Sequence, residues 1–314
     1  MYKRMLVPLD GSELAEVVLP YARELAGRLD LELRLLHVCE PDSATSEFMC
    51  RAYIMHVAEM ARMQSREVQM KTGATSRVKT VDAIGKVVTG HPAEEIIHYA
   101  SENNIDLILM GTHGRSGVKR WVLGSVADKV LRVSHIPIWL VRAAVPEEII
   151  YDEWSKRKML VLLDGSKLAE SVLPHVEALA KQRGTELINV ILLRVLEEPY
   201  VNADYPEASM DLTWDQHVRR IREHFKRDAQ EYLLGVQQRL AKAGLNVTSK
   251  VLMGEPVDQI INYALQNHPN LIVMTTHGYS GISRWEHGSV ADRVLRAASS
   301  PIFLVRPIID ASVS

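Results

Sequence analysis

The stretch Met110 to Arg142, MGTHGRSGVKRWVLGSVADKVLRVSHIPIWLVR, returns almost letter for letter at Met274 to Arg306 as MTTHGYSGISRWEHGSVADRVLRAASSPIFLVR. No other feature limits the possible folds as much, because a chain that repeats a stretch of this length repeats a structural unit. Both copies follow an apolar run, Asp106 to Met110 (DLILM) and Asn270 to Met274 (NLIVM), and both end in another, so each predicts a buried strand, a loop, a helix and a second buried strand.

The loop is rich in glycine. The first copy carries Gly111, Gly114 and, after nine intervening residues, Gly124-Ser125; the second has Thr275, Gly278 and Gly288-Ser289 in the same places. Glycines let backbone N–H groups turn towards a ligand, and Gly-Ser ahead of VADKVLRV puts donors and a hydroxyl at a helix N-terminus, which suits a phosphate chain. A purely structural role, with glycines turning the chain and Ser125 and Ser289 as ordinary N-caps, stays open at this point.

The rest of the chain is doubled in the same way. MLVPLDGSELAEVVLPYARELAGRL, from Met5, is matched by MLVLLDGSKLAESVLPHVEALAKQRG from Met159, a strand, a tight turn and a helix in each case. Leu14, Val17, Val18, Tyr21 and Leu25 fall on one face at helical spacing, a pattern of core packing. Asp10 and Asp164 end the first strand of each copy, either as helix-start residues or as carboxylates aimed at a ligand. Second strands follow at Leu31 to Val38 and Glu186 to Val195. Long helices come next, from about Ser46 to Lys71 and from about Asp215 to Lys242. Met49, Met55, Met60 and Met63 form a stripe that reads as core or as a soft interface, and RRIREHFKRD reads as a solvated face. Val78 to Thr89 is long for one strand, which suggests a bulge or hairpin at Ile84-Gly85. GHPAEEIIHYASEN and GEPVDQIINYALQN then begin a third helix in each copy. Five strands alternating with four helices, twice over, predict two parallel α/β sheets.

Composition narrows the function. Of 314 residues, 37 are Lys or Arg and 39 Asp or Glu, so nothing suggests a general nucleic-acid or membrane surface. Cys39 and Cys50 show neither pairing nor metal-ligand spacing, and with no signal pattern or membrane-length apolar run the expected location is the cytoplasm. His113 and His277 share one loop position, better read as loop-stabilising than as phosphate contacts or bases. There is no nucleophile with a partner base, no metal-ligand cluster and no Walker-type motif, so dedicated catalysis is not expected and any hydrolysis would be slow.

The chain resembles the universal stress protein family over nearly its whole length, as a tandem of two domains. The resemblance rests on VPLDGS, GHPAEEI, the terminal IPIWLVR, and the spacing of Gly111, Gly114, Gly124 and Ser125, which matches the family's ATP-binding subset in full. Gly278, Gly288 and Ser289 match it except that Thr275 replaces the first glycine. The implied domains are residues 1–143 and 158–308, with a linker at 144–157 and a tail at 309–314. The implied fold is Rossmann-like, with strand order 3-2-1-4-5 in each half and a ligand cleft where the winding reverses.

By the same resemblance, Pro8, Asp10 and Val38 line the adenosine end of a first ATP site, and Met110, Gly111, Gly114, Gly124, Ser125 and Val126 hold ribose and phosphates, with Mg2+ accompanying the ATP. The second site uses Asp164, Val195, Met274, Gly278, Gly288, Ser289 and Val290. Leu162 in place of Pro8, Thr275 in place of Gly111 and Glu286 in place of Val122 weaken it, whereas Lys119 and Arg120 favour phosphate at the first. The implied function is nucleotide-dependent regulation of a stress response; the alternatives are an interaction scaffold with empty loops, or a weak ATPase or related nucleotide-processing enzyme. The last strands, Ile136 to Val141 and Pro301 to Val305, are expected to join the halves as an internal pseudo-dimer, with further association into a homodimer left open.

Overall fold

The computed structural model describes residues 2–40, 47–71, 81–112, 123–142, 157–198, 214–276 and 289–307. In the first half the elements run β1 (Arg4–Pro8), α1 (Glu13–Glu16), α2 (Leu19–Leu29), β2 (Glu32–Cys39), α3 (Glu47–Lys71), β3 (Ala83–Thr89), α4 (Pro92–Glu102), β4 (Leu107–Gly111), α5 (Ser125–Val133) and β5 (Ile138–Val141). The second half repeats them as β6 (Arg157–Leu162), α6 (Lys167–Glu170), α7 (Leu173–Arg183), β7 (Ile188–Leu196), α8 (Trp214–Lys242), β8 (Asn246–Met253), α9 (Pro256–Asn267), β9 (Leu271–Thr275), α10 (Ser289–Ala297) and β10 (Ile302–Val305).

The strands form one ten-stranded sheet in the order β3-β2-β1-β4-β5-β10-β9-β6-β7-β8. Each half has the expected 3-2-1-4-5 order and is parallel throughout, and the halves meet through an antiparallel pairing of β5 with β10, Phe303 opposite Trp139. Successive residues of β1 point to opposite faces, so Met5 and Val7 enter one apolar core and Leu6 the other. α2, α3, α7 and α8 cover the first face, α4, α5, α9 and α10 the second, and both cores run across the two halves.

The seam is packed and hydrogen-bonded. Phe303, fully buried, meets Trp139 edge-on at 6.0 Å and Tyr2 at 6.3 Å. The Tyr2 hydroxyl bonds His175 Nδ1 at 2.6 Å, and the Tyr2 N–H donates to Gln182 Oε1 at 3.1 Å. Arg142 donates to the Ala298 and Arg296 carbonyls at 2.6 and 2.8 Å, capping the C-terminus of α10 from the other half, and Arg306 returns the contact to the Arg132 carbonyl at the end of α5. These two arginines close the repeated stretches, and each serves the helix of the other copy. A cavity of about 60 Å3 also lies on the seam, lined in part by Glu24, Arg28, Arg157 and Arg183. There burial first, then repulsion between the guanidiniums, makes Arg157 and Arg183 less basic than usual.

The structure revises several local expectations. The first helix of each copy is two helices. Pro20 and Pro174 sit in the first turn of the second piece, where a missing N–H costs nothing, and Ser12 and Ser166 cap the first piece by accepting from the Ala15 and Ala169 N–H. β3 runs without a bulge through Ile84-Gly85, in unbroken register with β2 from Leu33↔Ala83 to Cys39↔Thr89. Gly85 is needed for a different reason, since a Cβ there would lie 2.7 Å from the Ile54 carbonyl oxygen of α3. Gly85→Val is therefore expected to cost about 1–3 kcal/mol of unfolding free energy, read as a lower denaturant midpoint; an unchanged midpoint would show that α3 does not bear on β3 there. The methionine stripe is not core: Met49, Met55, Met60 and Met63 are all exposed, leaving the soft-surface alternative. The RRIREHFKRD run is mostly exposed, as a solvated face should be. Among the described residues no helix is long and apolar enough to cross a membrane.

Candidate functional site

The candidate clefts are the places at the carboxyl ends of the strands where the winding reverses, between β1 and β4 in the first half and between β6 and β9 in the second. Proline shapes the first. Pro8 has no N–H to give, and the β1–β4 pairing stops at Leu6↔Ile108, whereas β6 with Leu162 stays paired to β9 through Val161↔Val273.

Asp10 lies just beyond β1. Its Oδ1 accepts from the Ser12 N–H at 2.9 Å and from the Ser12 hydroxyl at 2.6 Å, a turn made possible by Gly11 at φ +78°. Asp164 accepts the equivalent Ser166 N–H at 2.8 Å, with Gly165 at φ +95°. Neither aspartate is the helix cap, since Ser12 and Ser166 take that position. Each carboxylate is instead fixed by the turn at the mouth of its cleft.

Met110 and Gly111 end β4, and Val38 lies near the end of β2. Gly124 is the N-cap of α5 and donates its N–H to the Thr112 carbonyl at 2.8 Å, so the loop leaves and re-enters the cleft at adjacent points. Ser125 and Val126 are the first helical residues, which corrects the reading of Ser125 as an N-cap. No side chain caps α5, so no capping side chain occupies the backbone donors of its first turn, the groups that an anion at a helix N-terminus would use. Gly114, Gly278 and Gly288 lie outside the described residues, as do His113, His277, Lys119, Arg120, Val122 and Glu286.

In the second half Asp164, Val195, Met274, Ser289 and Val290, every described residue expected there, line one cavity of about 570 Å3. Thr275 and Thr276 share that lining, so the threonine in place of the first glycine reaches the cleft wall. The same wall contains Arg194, a residue that loop spacing did not single out. Its guanidinium lies over the Tyr232 ring at 5.2 Å and would be 2.7 Å from a Cβ at Gly165. Its signal in the sequence was a charge inside the apolar run LLRVL, where the first copy has His37.

Comparison with known proteins agrees with this architecture. The sequence model of the universal stress protein family matches residues 1–142 and 156–306. A universal stress protein of Bacillus subtilis is 30% identical over 148 residues, covering 45% of this chain and 100% of its own length. One from Mycobacterium tuberculosis is 23% identical over 310 residues, 96% of each chain. The crystal structure of a universal stress protein from Archaeoglobus fulgidus superposes with a TM-score of 0.63 at 22% identity, over 96% of this chain and 98% of that one, a likeness of fold. Matched by the family model in both halves, this chain belongs to the universal stress protein family, as a tandem member.

Proposed function

We propose that the clefts bind ATP, as its magnesium complex, and that occupancy makes the protein a nucleotide-dependent regulator of a stress response. The observation that carries this reading is the cavity of about 570 Å3 whose wall holds Asp164, Val195, Met274, Ser289 and Val290 together. Its size suits a small-molecule site, for which ~300–1,000 Å3 is typical. The first cleft supports the same reading through the uncapped start of α5 at Gly124. In this arrangement Asp10 and Asp164 accept from the adenosine, Val38 and Val195 offer backbone groups to the base, and the glycine loops with Ser125 and Ser289 hold the phosphates. The metal would shield phosphate charge against the loop.

The first cleft is the tighter of the two. Thr275 adds a side chain to the wall of the second where the first has Gly111, and Leu162 stands where the first has Pro8. Asp10→Ala should weaken the first site, and Asp164→Ala the second, by about tenfold or more, the value of a hydrogen bond to a charged group. Equilibrium dialysis with labelled ATP over a concentration range resolves the two classes; binding that is identical in both variants would contradict the assignment.

One observation favours a second role, as an interaction scaffold. Phe48, Met49, Met55 and Met63 are exposed along α3, an adaptable apolar surface outside the clefts.

A further inference from the structure

The fold gathers three metal-ligating side chains that lie apart in the sequence. His37 and Cys39 alternate on β2, so both side chains leave the same face of the strand, and Cys50 comes from the first turns of α3, which packs on that face. One ligand atom from each of His37, Cys39 and Cys50 lies within 4.8 Å of the other two. All three residues are buried, at 4%, 7% and 3% exposure, and both thiols are free of disulfide. Tyr53, one turn beyond Cys50, meets the His37 ring of β2 edge-on at 5.7 Å and donates its hydroxyl to Glu16 Oε1 of α1 at 2.8 Å, which holds that turn of α3 against both elements.

We propose that His37, Cys39 and Cys50 form a site for one thiophilic d10 cation, Zn2+ or Cu+. Two thiolates and an imidazole are soft and borderline ligands, unsuited to Mg2+ or Ca2+. Tetrahedral zinc with Zn–S bonds of about 2.3 Å needs ligand atoms about 3.8 Å apart, so the observed spread closes with side-chain adjustments of about 1 Å or less. Trigonal Cu+ uses the same three atoms, and zinc would add one ligand from solvent. The second half has no counterpart: Arg194 and Leu196 occupy the positions of His37 and Cys39, and the chain contains no third cysteine. The site therefore marks one half of the repeat, and it does not depend on the nucleotide reading.

The test uses the reduced, chelator-stripped full chain under anaerobic conditions. Co2+ serves as the spectroscopic stand-in for zinc and is then displaced by Zn2+; in a second arm Cu+ is supplied against a chelator of known affinity. The expected result is one cation per chain, with a thiolate-to-cobalt charge-transfer band in the zinc arm or retention of Cu+ against the chelator in the copper arm. Cys39→Ser and Cys50→Ser, each checked for native circular dichroism, should lose the band or the retained copper. Wild-type protein that takes up neither cation, signals that survive both substitutions, or thiols that only oxidise to a disulfide would each overturn the proposal. The wild-type titration decides the matter even if a variant fails to fold.

Discussion

Gly124→Asp should lower the affinity of the first cleft for Mg-ATP by about two orders of magnitude, while leaving the protein at least as stable as before. The two effects separate because of where Gly124 sits. It occupies the N-cap of α5 with extended backbone, φ −62° and ψ 147°, which any residue adopts, and it supplies no side-chain cap. Aspartate is among the preferred N-cap residues, since its carboxylate accepts from the N–H groups of the first turn. In the proposed site those are the donors that the phosphates would use. The substituted side chain would satisfy them internally and place a negative charge against the phosphate chain, a like-charge juxtaposition that costs several kcal/mol. Calorimetric titration together with thermal unfolding reads both quantities. A variant that keeps its affinity would mean that α5 does not face the phosphates, and one that loses affinity only because it unfolds would leave the cap argument wrong.

The second large effect is expected at the seam. Phe303→Ala should cost about 3–5 kcal/mol, the usual loss for truncating a buried phenylalanine. Phe303 is fully buried, pairs across β10 and β5 with Trp139, and is in ring contact with Tyr2 and His175 as well. Its cavity would open where the core on the first face passes from one half to the other. Phe225→Ala on the exposed face of α8 is the control and should stay within about 0.5 kcal/mol of the parent. Denaturant unfolding separates the two. Equal midpoints would show that the halves are held by something other than this cluster.

How much of this was legible in the chain follows from which interactions are local. The alternating parallel α/β plan was, because the duplicated stretches carry their own strand and helix periodicity, while the 3-2-1-4-5 order came from the resemblance to the family. The pairing of β5 with β10 was implied by the resemblance to the family, and the structure shows it. Features that depend on contact between distant segments were not legible. Gly85 reads as a strand-breaking residue until Ile54 is seen against it. Pro20 reads as tolerated within a helix, yet the backbone starts a new one there. His37, Cys39 and Cys50 show no metal-ligand spacing because the ligands come from a strand and the helix that folds over it. Arg194 gives no signal in glycine spacing, which marks loops, because this charge lies in a strand at the cleft wall. In the candidate site the residues are those that the family resemblance implies, whereas the turn that fixes Asp10 through Ser12, and the cap at Gly124 rather than Ser125, are matters of backbone geometry.

The central claim is that these clefts are nucleotide sites, and titration of nucleotide-stripped wild-type protein with Mg-ATP by calorimetry tests it most directly. Our account predicts saturable binding of one or two ATP per chain, with the tighter class removed by Gly124→Asp. No detectable heat, together with no retention of labelled ATP in equilibrium dialysis, would contradict it and leave a tandem universal stress protein fold that works as a scaffold.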